Sequence, residues 1–446
     1  MNNRLMEIFQ NVVYQLALLA GVILGVICAA HALLNKREPN SALIWVALCL
    51  SLPIVGAVLY VMFGVNRIHR QANKLMLRSR RRSRPGNLSS PGENCQPGQC
   101  FHPHGDEEDK IFYPPAGEGH DDSAEFPMEV PAALLPAKIR TMARIGYSVM
   151  GMPLLAGNKV EILHTGDQAY PAMLEAIDRA EHCIYLDTYI FDSDQAGMAF
   201  VDALGEAVLR GVEVRVQVDG TGTLLTRPRI AKLLRRRGVT VGRFIPPRLF
   251  PPQLSINLRN HRKLLLVDGK IGFTGGMNIS SVHMLHPVQD KGFRARLGLS
   301  KSSPMQDIHF RVQGPILEDF QRIFAREWQF TTGELLELPR VSPSPKGYSM
   351  CRTILDGPDD YLERFHSTLL GAISAAKSSV RIMTPYFLPP RQLITAMQSA
   401  AMRGVEVAVI LPDEVDHKFV KWATCNVLWE FLGRGVQIYY QPAPFN

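Results

Sequence analysis

The chain has 446 residues, 46% of them hydrophobic and 20% charged, with a mean hydropathy of -0.01. This balance excludes a wholly disordered chain and a polytopic transporter, and the length predicts two or three domains. The formal charge of +8 is local. Arg67, Arg70, Lys74, Arg78, Arg80, Arg81, Arg82 and Arg84 lie together with no acid among them, and the rest of the chain carries 41 bases against 41 acids.

Two apolar stretches open the protein, Val12 to Leu34 and Ser41 to Phe63, each 23 residues long and free of formal charge. About 20 helical residues cross the ~30 Å hydrocarbon layer. With only Asn35 to Asn40 between them, the two stretches predict a tight two-helix transmembrane hairpin over residues 1–66. A signal peptide would have a shorter apolar region and no second span directly after it. Arg4 precedes the first stretch, Lys36 and Arg37 lie in the turn, and the eight bases follow the second. The positive-inside rule then puts both the N-terminus and everything after Phe63 in the cytoplasm. The run Arg67–Arg84 would rest against anionic headgroups, each charge contributing roughly 1 kcal/mol near the surface.

Residues 67–136 comprise that basic juxtamembrane segment and a linker, Pro85 to Pro136, rich in Pro, Gly, Ser and acids. Such a composition reads as a flexible tether. Cys95, Cys100, His102 and His104 match no common zinc spacing, so no metal is assigned. The seven cysteines, an odd number scattered from Cys28 to Cys425, fit thiols in a reducing compartment.

From Lys138 onward, β-branched runs alternate with helical stretches, and the pattern repeats. AIDRAEHCIYLDTYIF (Ala176–Phe191) aligns with AISAAKSSVRIMTPYF (Ala372–Phe387), LRGVEVRVQVDG (Leu209–Gly220) with MRGVEVAVILPD (Met402–Asp413), and LLRRRGVTVGRF (Leu233–Phe244) with FLGRGVQIYYQ (Phe431–Gln441). In each copy a helix ends at Arg-Gly, with Gly as its C-cap, and a Val-rich strand follows. The alternation predicts βαβ units, a largely parallel sheet, and two α/β halves over 137–345 and 346–446.

Only the first copy continues into HRKLLLVDGKIGFTGGMN (His261–Asn278). His261 and Lys263 lie two apart on an extended segment, so their side chains share a face. Imidazole supplies a nucleophile or acid that titrates near neutrality, and a lysine supplies a fixed cation for phosphoryl oxygens. Asp268 orients a partner or holds local structure. Gly275 and Gly276 let backbone approach closely, and the Asn278 amide can donate to phosphate.

With these residues the chain resembles the phospholipase D superfamily, and within it the bacterial cardiolipin synthases. Ser41–Asn66 is similar to the family's membrane segment. LDTYIFDSDQAG, DGTG (Asp219–Gly222), NHRKLLLVDG and IGFTGGMN are similar to its first half, DIHFRVQGPILEDFQRIFAREW (Asp307–Trp328) to the segment that follows, and TPYFLPP (Thr384–Pro390) to its second half. The resemblance implies a phospholipase D-like duplicated α/β sandwich with an incomplete second half. It also implies transfer between two phosphatidylglycerol molecules, giving cardiolipin and glycerol through a phosphohistidine, without a metal or other cofactor. By position His261 is the nucleophile, Lys263 and Asn278 hold phosphate, and Asp268 is the motif's acid. Asp307 and His309 support the site. The family pattern carries a second His-x-Lys-x4-Asp, and the aligned second copy reaches only Asn446, the counterpart of Asn260. An isolated chain is therefore expected to be inactive or nearly so unless further residues or a second chain supply the other histidine. Competing readings are a phospholipase D-type hydrolase, a nuclease, and a non-catalytic shortened paralogue. The nuclease is disfavoured by a soluble body that nets to zero charge, because nucleic-acid binding needs a basic footprint there.

Overall fold

A computed structural model describes residues 2–36, 39–64, 130, 135–222, 229–246, 259–285, 304–341, 344–357, 364–413, 415 and 418–442. The run Arg67–Arg84 and nearly all of the linker, with Cys95, Cys100, His102 and His104, lie outside the described residues. The chain divides into two compact units, Met1–Lys74 and Leu75–Asn446.

In the first unit, helix α1 covers Asn2–Asn35, and its 22-residue stretch Tyr14–Asn35 contains 18 residues of mean hydropathy 2.4. At 1.5 Å per residue that stretch is ~33 Å long, enough to cross a bilayer. The second apolar stretch differs from the predicted hairpin arm. It breaks into α2 (Pro39–Ser51) and α3 (Pro53–Leu59), followed by a π turn at Tyr60–Gly64. Proline lacks the N–H that would continue the helical ladder, and its ring crowds the preceding turn. Pro53 lies beside Gly25, and a Cβ on Gly56 would strike the backbone of Leu48 and Cys49. Tyr60 reaches His31 near the end of α1, at 2.7 Å from ring Nδ1 to the phenol oxygen, and packs edge-on against Trp45. The second stretch therefore runs about halfway along α1 and folds back. Among the described residues one helix, α1, is long and apolar enough to span.

In the second unit, α4 (Ala137–Met150) leads into β1 (Leu155–His164), α5 (Thr165–Asp178), β2 (Cys183–Thr188), α6 (Gln195–Leu209), β3 (Glu213–Asp219), α7 (Ile230–Arg236) and β4 (Thr240–Phe244). Next come β5 (Lys263–Val267), β6 (Ile271–Gly275), β7 (Ile308–Gln313), α8 (Ile316–Thr332) and β8 (Ser349–Cys351). These eight strands form one sheet in the order β4-β3-β2-β5-β6-β7-β1-β8. Only β2, β3 and β4 are mutually parallel, and every other pairing is antiparallel. The sheet is mixed, contrary to the largely parallel expectation, because β5–β6 is a hairpin and β7 returns beside it. Helices α5, α6 and α7 cover one face through Phe200, Leu204 and Leu234 on Ile184, Val216 and Leu265. Helix α8 covers the other through Leu317, Phe324 and Trp328 on Tyr185, Leu264 and Leu266.

The second copy builds α9 (Arg364–Ala375), β9 (Ser379–Met383), α10 (Arg391–Met402), β10 (Glu406–Pro412), α11 (Lys418–Leu432) and β11 (Gln437–Gln441). Its parallel sheet, β11-β10-β9, repeats the order β4-β3-β2. All four Arg-Gly caps form as predicted. Gly211, Gly238, Gly404 and Gly435 adopt φ of 88°, 80°, 85° and 83°, and the valine after each donates to the carbonyl five residues back. These are the left-handed caps that glycine adopts without a Cβ penalty.

Asp268, Gly269 and Lys270 join β5 to β6; Asp268 and Gly269 both take positive φ (53° and 63°), and Lys270 N donates to the Val267 carbonyl at 2.9 Å. The Asp268 carboxylate accepts from the N–H groups of Glu181, His182 and Cys183 at 2.8–2.9 Å, tying the hairpin to the start of β2. Burial pushes its pKa up, but these three donors and Lys270 bring it below the usual carboxylate value. Asp268→Ala should therefore cost about 2–4 kcal/mol in thermal unfolding at neutral pH, since three N–H groups lose their acceptor. Because the folded pKa is depressed, the deficit relative to wild type should be full above the ordinary carboxylate pKa and shrink as pH falls through the folded value.

Candidate functional site

The sheet register gathers most of the motif. Thr188 on β2 pairs with Lys263 on β5, and Gly275 on β6 pairs with His309 on β7. Leu264 opposes Thr274, which puts Lys263 beside Gly275. Thr188, Lys263, Gly275 and His309 thus form one row across four strands, and His261 projects just beyond its edge.

His261 is exposed, with its ring stacked on Tyr189 at a centroid distance of 3.9 Å. Lys263 Nζ donates to the His261 carbonyl at 2.7 Å and lies 5.7 Å from the centre of the same Tyr189 ring. Partial burial and the Lys263 charge lower the pKa of His261, against a smaller opposing pull from Asp219. The imidazole is accordingly neutral at neutral pH, the form in which a ring nitrogen can attack. Burial lowers Lys263 to about 8, while Asp307 and Asp187 favour its charged form. At pH 7 the ammonium persists.

The two glycines meet different neighbours. A Cβ at Gly275 would lie 2.7 Å from His309 Nδ1, and one at Gly276 would collide with the Asp307 carboxylate. Asn278 accepts from Ile190 N through Oδ1 at 3.1 Å, which leaves its NH2 group for a phosphoryl oxygen. His261, Lys263, Gly275, Gly276 and Asn278 are brought to one end of the sheet. Asp268 is not: it occupies the opposite end of β5, five residues and ~16 Å beyond Lys263, bound to backbone amides. The motif's acid is here a structural clamp and not a neighbour of the imidazole.

Several side chains at this end carry no signature in the motif itself. His309 is buried, and burial, His283 and Lys263 take it down to about 4. His283 is also buried, and burial lowers its pKa against the pull of Asp307. Both rings stay neutral around a lysine that stays charged. Behind the site, burial pushes the Asp187 carboxyl well above the carboxylate range, against the stabilising effects of Asn260, Arg262 and Lys263.

His261 itself is held through its neighbours. Asn260 Nδ2 donates to Asp187 Oδ2 at 2.7 Å and to Glu327 Oε2 at 2.8 Å, and Asn260 N donates to Asp219 Oδ2 at 3.2 Å. Arg262 forms an ion pair with the same Glu327, and Arg262 N donates to Asn260 Oδ1 at 3.0 Å. Residues 260 and 262 point to the α8 side while 261 and 263 point the other way, as period two demands. Two signals for this backing were present in the sequence: Asp187 sits in an otherwise apolar strand, and Glu327 in an aromatic-rich helix. Glu327→Ala should lower stability by about 2–3 kcal/mol, since it strands a largely buried arginine that keeps some solvent. It should also change the rate at which diethyl pyrocarbonate modifies His261, and Glu327→Gln should restore part of both. Denaturation in detergent and peptide mapping would measure these effects.

The chain is similar to known proteins over most of its length. The family described as "Cardiolipin synthase, PLD-like domain" matches residues 173–286 and 369–446, and the family described as "Phospholipase_D-nuclease N-terminal" matches residues 23–64. Cardiolipin synthase A of Pseudomonas putida is 28% identical over 428 residues, covering 94% of this chain and 78% of that protein. The major cardiolipin synthase of Bacillus subtilis is 32% identical over 286 residues, covering 63% of this chain and 57% of it. Among solved structures, phosphatidylserine synthase of Haemophilus influenzae aligns with a TM-score of 0.40 and 14% identity over 68% of this chain and 79% of that one. Through both halves and the membrane segment, the chain is similar to the bacterial cardiolipin synthases of the phospholipase D superfamily.

Proposed function

We propose that this site transfers a phosphatidyl group from one phosphatidylglycerol to another, with His261 as the nucleophile. The neutral imidazole attacks phosphorus, the P–O bond to glycerol breaks, and a phosphatidyl-histidine forms as the leaving oxygen takes a proton. The hydroxyl of a second phosphatidylglycerol then attacks the phosphorus, loses its proton to a base, and releases cardiolipin and the free imidazole. The Lys263 ammonium and the Asn278 amide hold the non-bridging oxygens, whose charge grows in the transition state. Tyr189 fixes the ring plane. By likeness to the family, the acid–base partner is assigned to a second His-x-Lys element. The observation that carries this reading is the His261 imidazole, exposed and stacked on Tyr189, on the same strand end as the half-buried Lys263 ammonium.

Trapping the intermediate tests it directly. The full chain in vesicles containing phosphatidylglycerol labelled with 32P should acquire acid-labile label on His261. His261→Ala should remove that label entirely, and Lys263→Ala should reduce it by about 100-fold or more. Label retained in His261→Ala would end the assignment.

As a phosphatidyltransferase of this family the protein works on membrane phospholipids, and we propose that its catalytic body faces the cytoplasm. With α2 and α3 folding back beside α1, Lys36, Arg37 and the run Arg67–Arg84 all follow the same end of the one long apolar helix. The positive-inside rule then places that end in the cytoplasm and the N-terminus across the membrane, unlike the shared side that two crossings would give. Reporter fusions at Met1 and after Gly64 should therefore show opposite faces of the membrane. Identical faces would restore two full crossings.

A further inference from the structure

Asn278 lies in no strand or helix. It sits between the end of β6 at Gly275 and the short turn Ser281–His283. A side chain on such a segment keeps one direction only where tertiary contacts hold the backbone beneath it. Met277 and Ile279 anchor the segment in the core, and the half-buried Asn278 stands between them.

The remaining freedom is removed by Tyr170 of α5, 108 residues away in sequence. Its hydroxyl donates to the carbonyls of Asn278 and Ser280, each at 2.8 Å, and accepts from Ser280 N at 3.2 Å. One buried oxygen thereby engages three backbone groups on either side of Ile279. The ring is itself fixed, buried and edge-on to Phe200 at 5.6 Å. A Cβ on Gly166 would lie 2.8 Å from Tyr170 Cε2, so the helix gives the ring its space. Phenylalanine would fill the same volume but leave those backbone groups without a partner. Packing alone therefore does not account for tyrosine here.

The segment also reaches the strand end that carries Tyr189. Asn278 Oδ1 accepts from Ile190 N, and Ile279 N donates to the Ile190 carbonyl at 3.1 Å. Tyr189, stacked on His261, directly precedes Ile190. Ser280 Oγ donates to Asp192 Oδ2 at 2.7 Å, which laces the two segments once more. Asn278 is thus held twice, at its backbone carbonyl by Tyr170 and at its side-chain carbonyl by Ile190. With Oδ1 engaged, the NH2 group is the end that can meet an anion.

From this geometry we infer that Tyr170 is a positioning residue for phosphoryl binding, acting through Asn278 without touching the substrate. The part given to Asn278 rests on the transfer reading, and orthovanadate, a phosphoryl mimic, tests Tyr170 without turnover. The readout is the vanadate concentration that half-protects His261 from diethyl pyrocarbonate, mapped by peptide in the full detergent-solubilised chain. Asn278→Ala should raise it about 10-fold, and Tyr170→Phe by a similar factor. The double variant should match Asn278→Ala alone, because one path carries both losses. Gly166→Ala crowds the ring but keeps the hydroxyl. It should weaken protection and again add nothing to Asn278→Ala, and it replaces Tyr170→Phe if that variant does not fold. Unchanged protection in Tyr170→Phe would overturn the proposal, as would an absence of protection in the wild type. Losses that multiply in the double variant would mark a merely structural tyrosine and overturn it equally. Coupled protection without any phosphatidyl-histidine in the wild type would sink the transfer reading and leave the positioning role standing. Normal phosphatidyl-histidine labelling together with normal protection in Tyr170→Phe would do the reverse.

Discussion

The site depends on how the strand end before β5 is held. A histidine on an exposed strand terminus would ordinarily sample several orientations, and a misplacement of about 1 Å can cost 100-fold in rate. Here Asn260 and Arg262, on either side of His261, both bind Glu327, and Asn260 also binds Asp187 and Asp219. Three acids, Asp187, Asp219 and Glu327, and the bases Arg259 and Arg262 meet behind one imidazole. Burial pushes the Asp187 carboxyl toward its neutral form, which leaves two acids against two bases and makes so dense a cluster tolerable: an ion left unpaired there would cost several kcal/mol. Such a cluster adds little net stability compared with an apolar core of the same volume. Its value lies in orientation, because each carboxylate oxygen fixes a direction as well as a distance.

The same end of the sheet separates neutral from charged groups. His283 and His309 are enclosed and stay uncharged, since each would otherwise add a cation beside Lys263. Lys263 keeps its proton at neutral pH because Asp307 and Asp187 lie near enough to oppose its burial. Positive charge is thereby concentrated on one ammonium, where a phosphate would sit, and withheld from the rings. A site with three protonated imidazoles would bind phosphate more strongly in the ground state but would have no free nitrogen lone pair for attack. Ground-state binding of that kind does not speed the chemical step.

Much of this was legible in the residues. The duplicated helix–strand pattern and the Arg-Gly caps are local features, set by periodicity and by the left-handed φ that glycine permits, and the structure reproduces them at all four sites. The pairing of His261 with Lys263 follows from the two-residue period of a strand. The mixed sheet was not legible, because antiparallel pairing of β7 with β6 and β1 is decided by contacts between distant segments. The reversal at Pro53 was hidden for a different reason. An apolar run satisfies a hydropathy window whether it continues or folds back, and the breaker counts only when its missing N–H is considered. Asp268 shows a third kind of limit: the sequence left it either orienting a partner or holding local structure, and the amides of Glu181, His182 and Cys183 that it accepts from fit the second.

The two halves share strand order but not the chemistry of their strand ends. Aligned across the repeat, Asp187 corresponds to Met383, Tyr189 to Pro385 and Asp219 to Pro412. The first half therefore ends in ionisable groups that hold Asn260, while the second places Met383, Pro385 and Pro412 at those positions, with the carboxylate of Asp413 one residue further on. Duplication has conserved the scaffold, which needs only glycine caps and β-branched strands, while the positions bordering the site have diverged. The charged backing belongs to the half that carries the histidine.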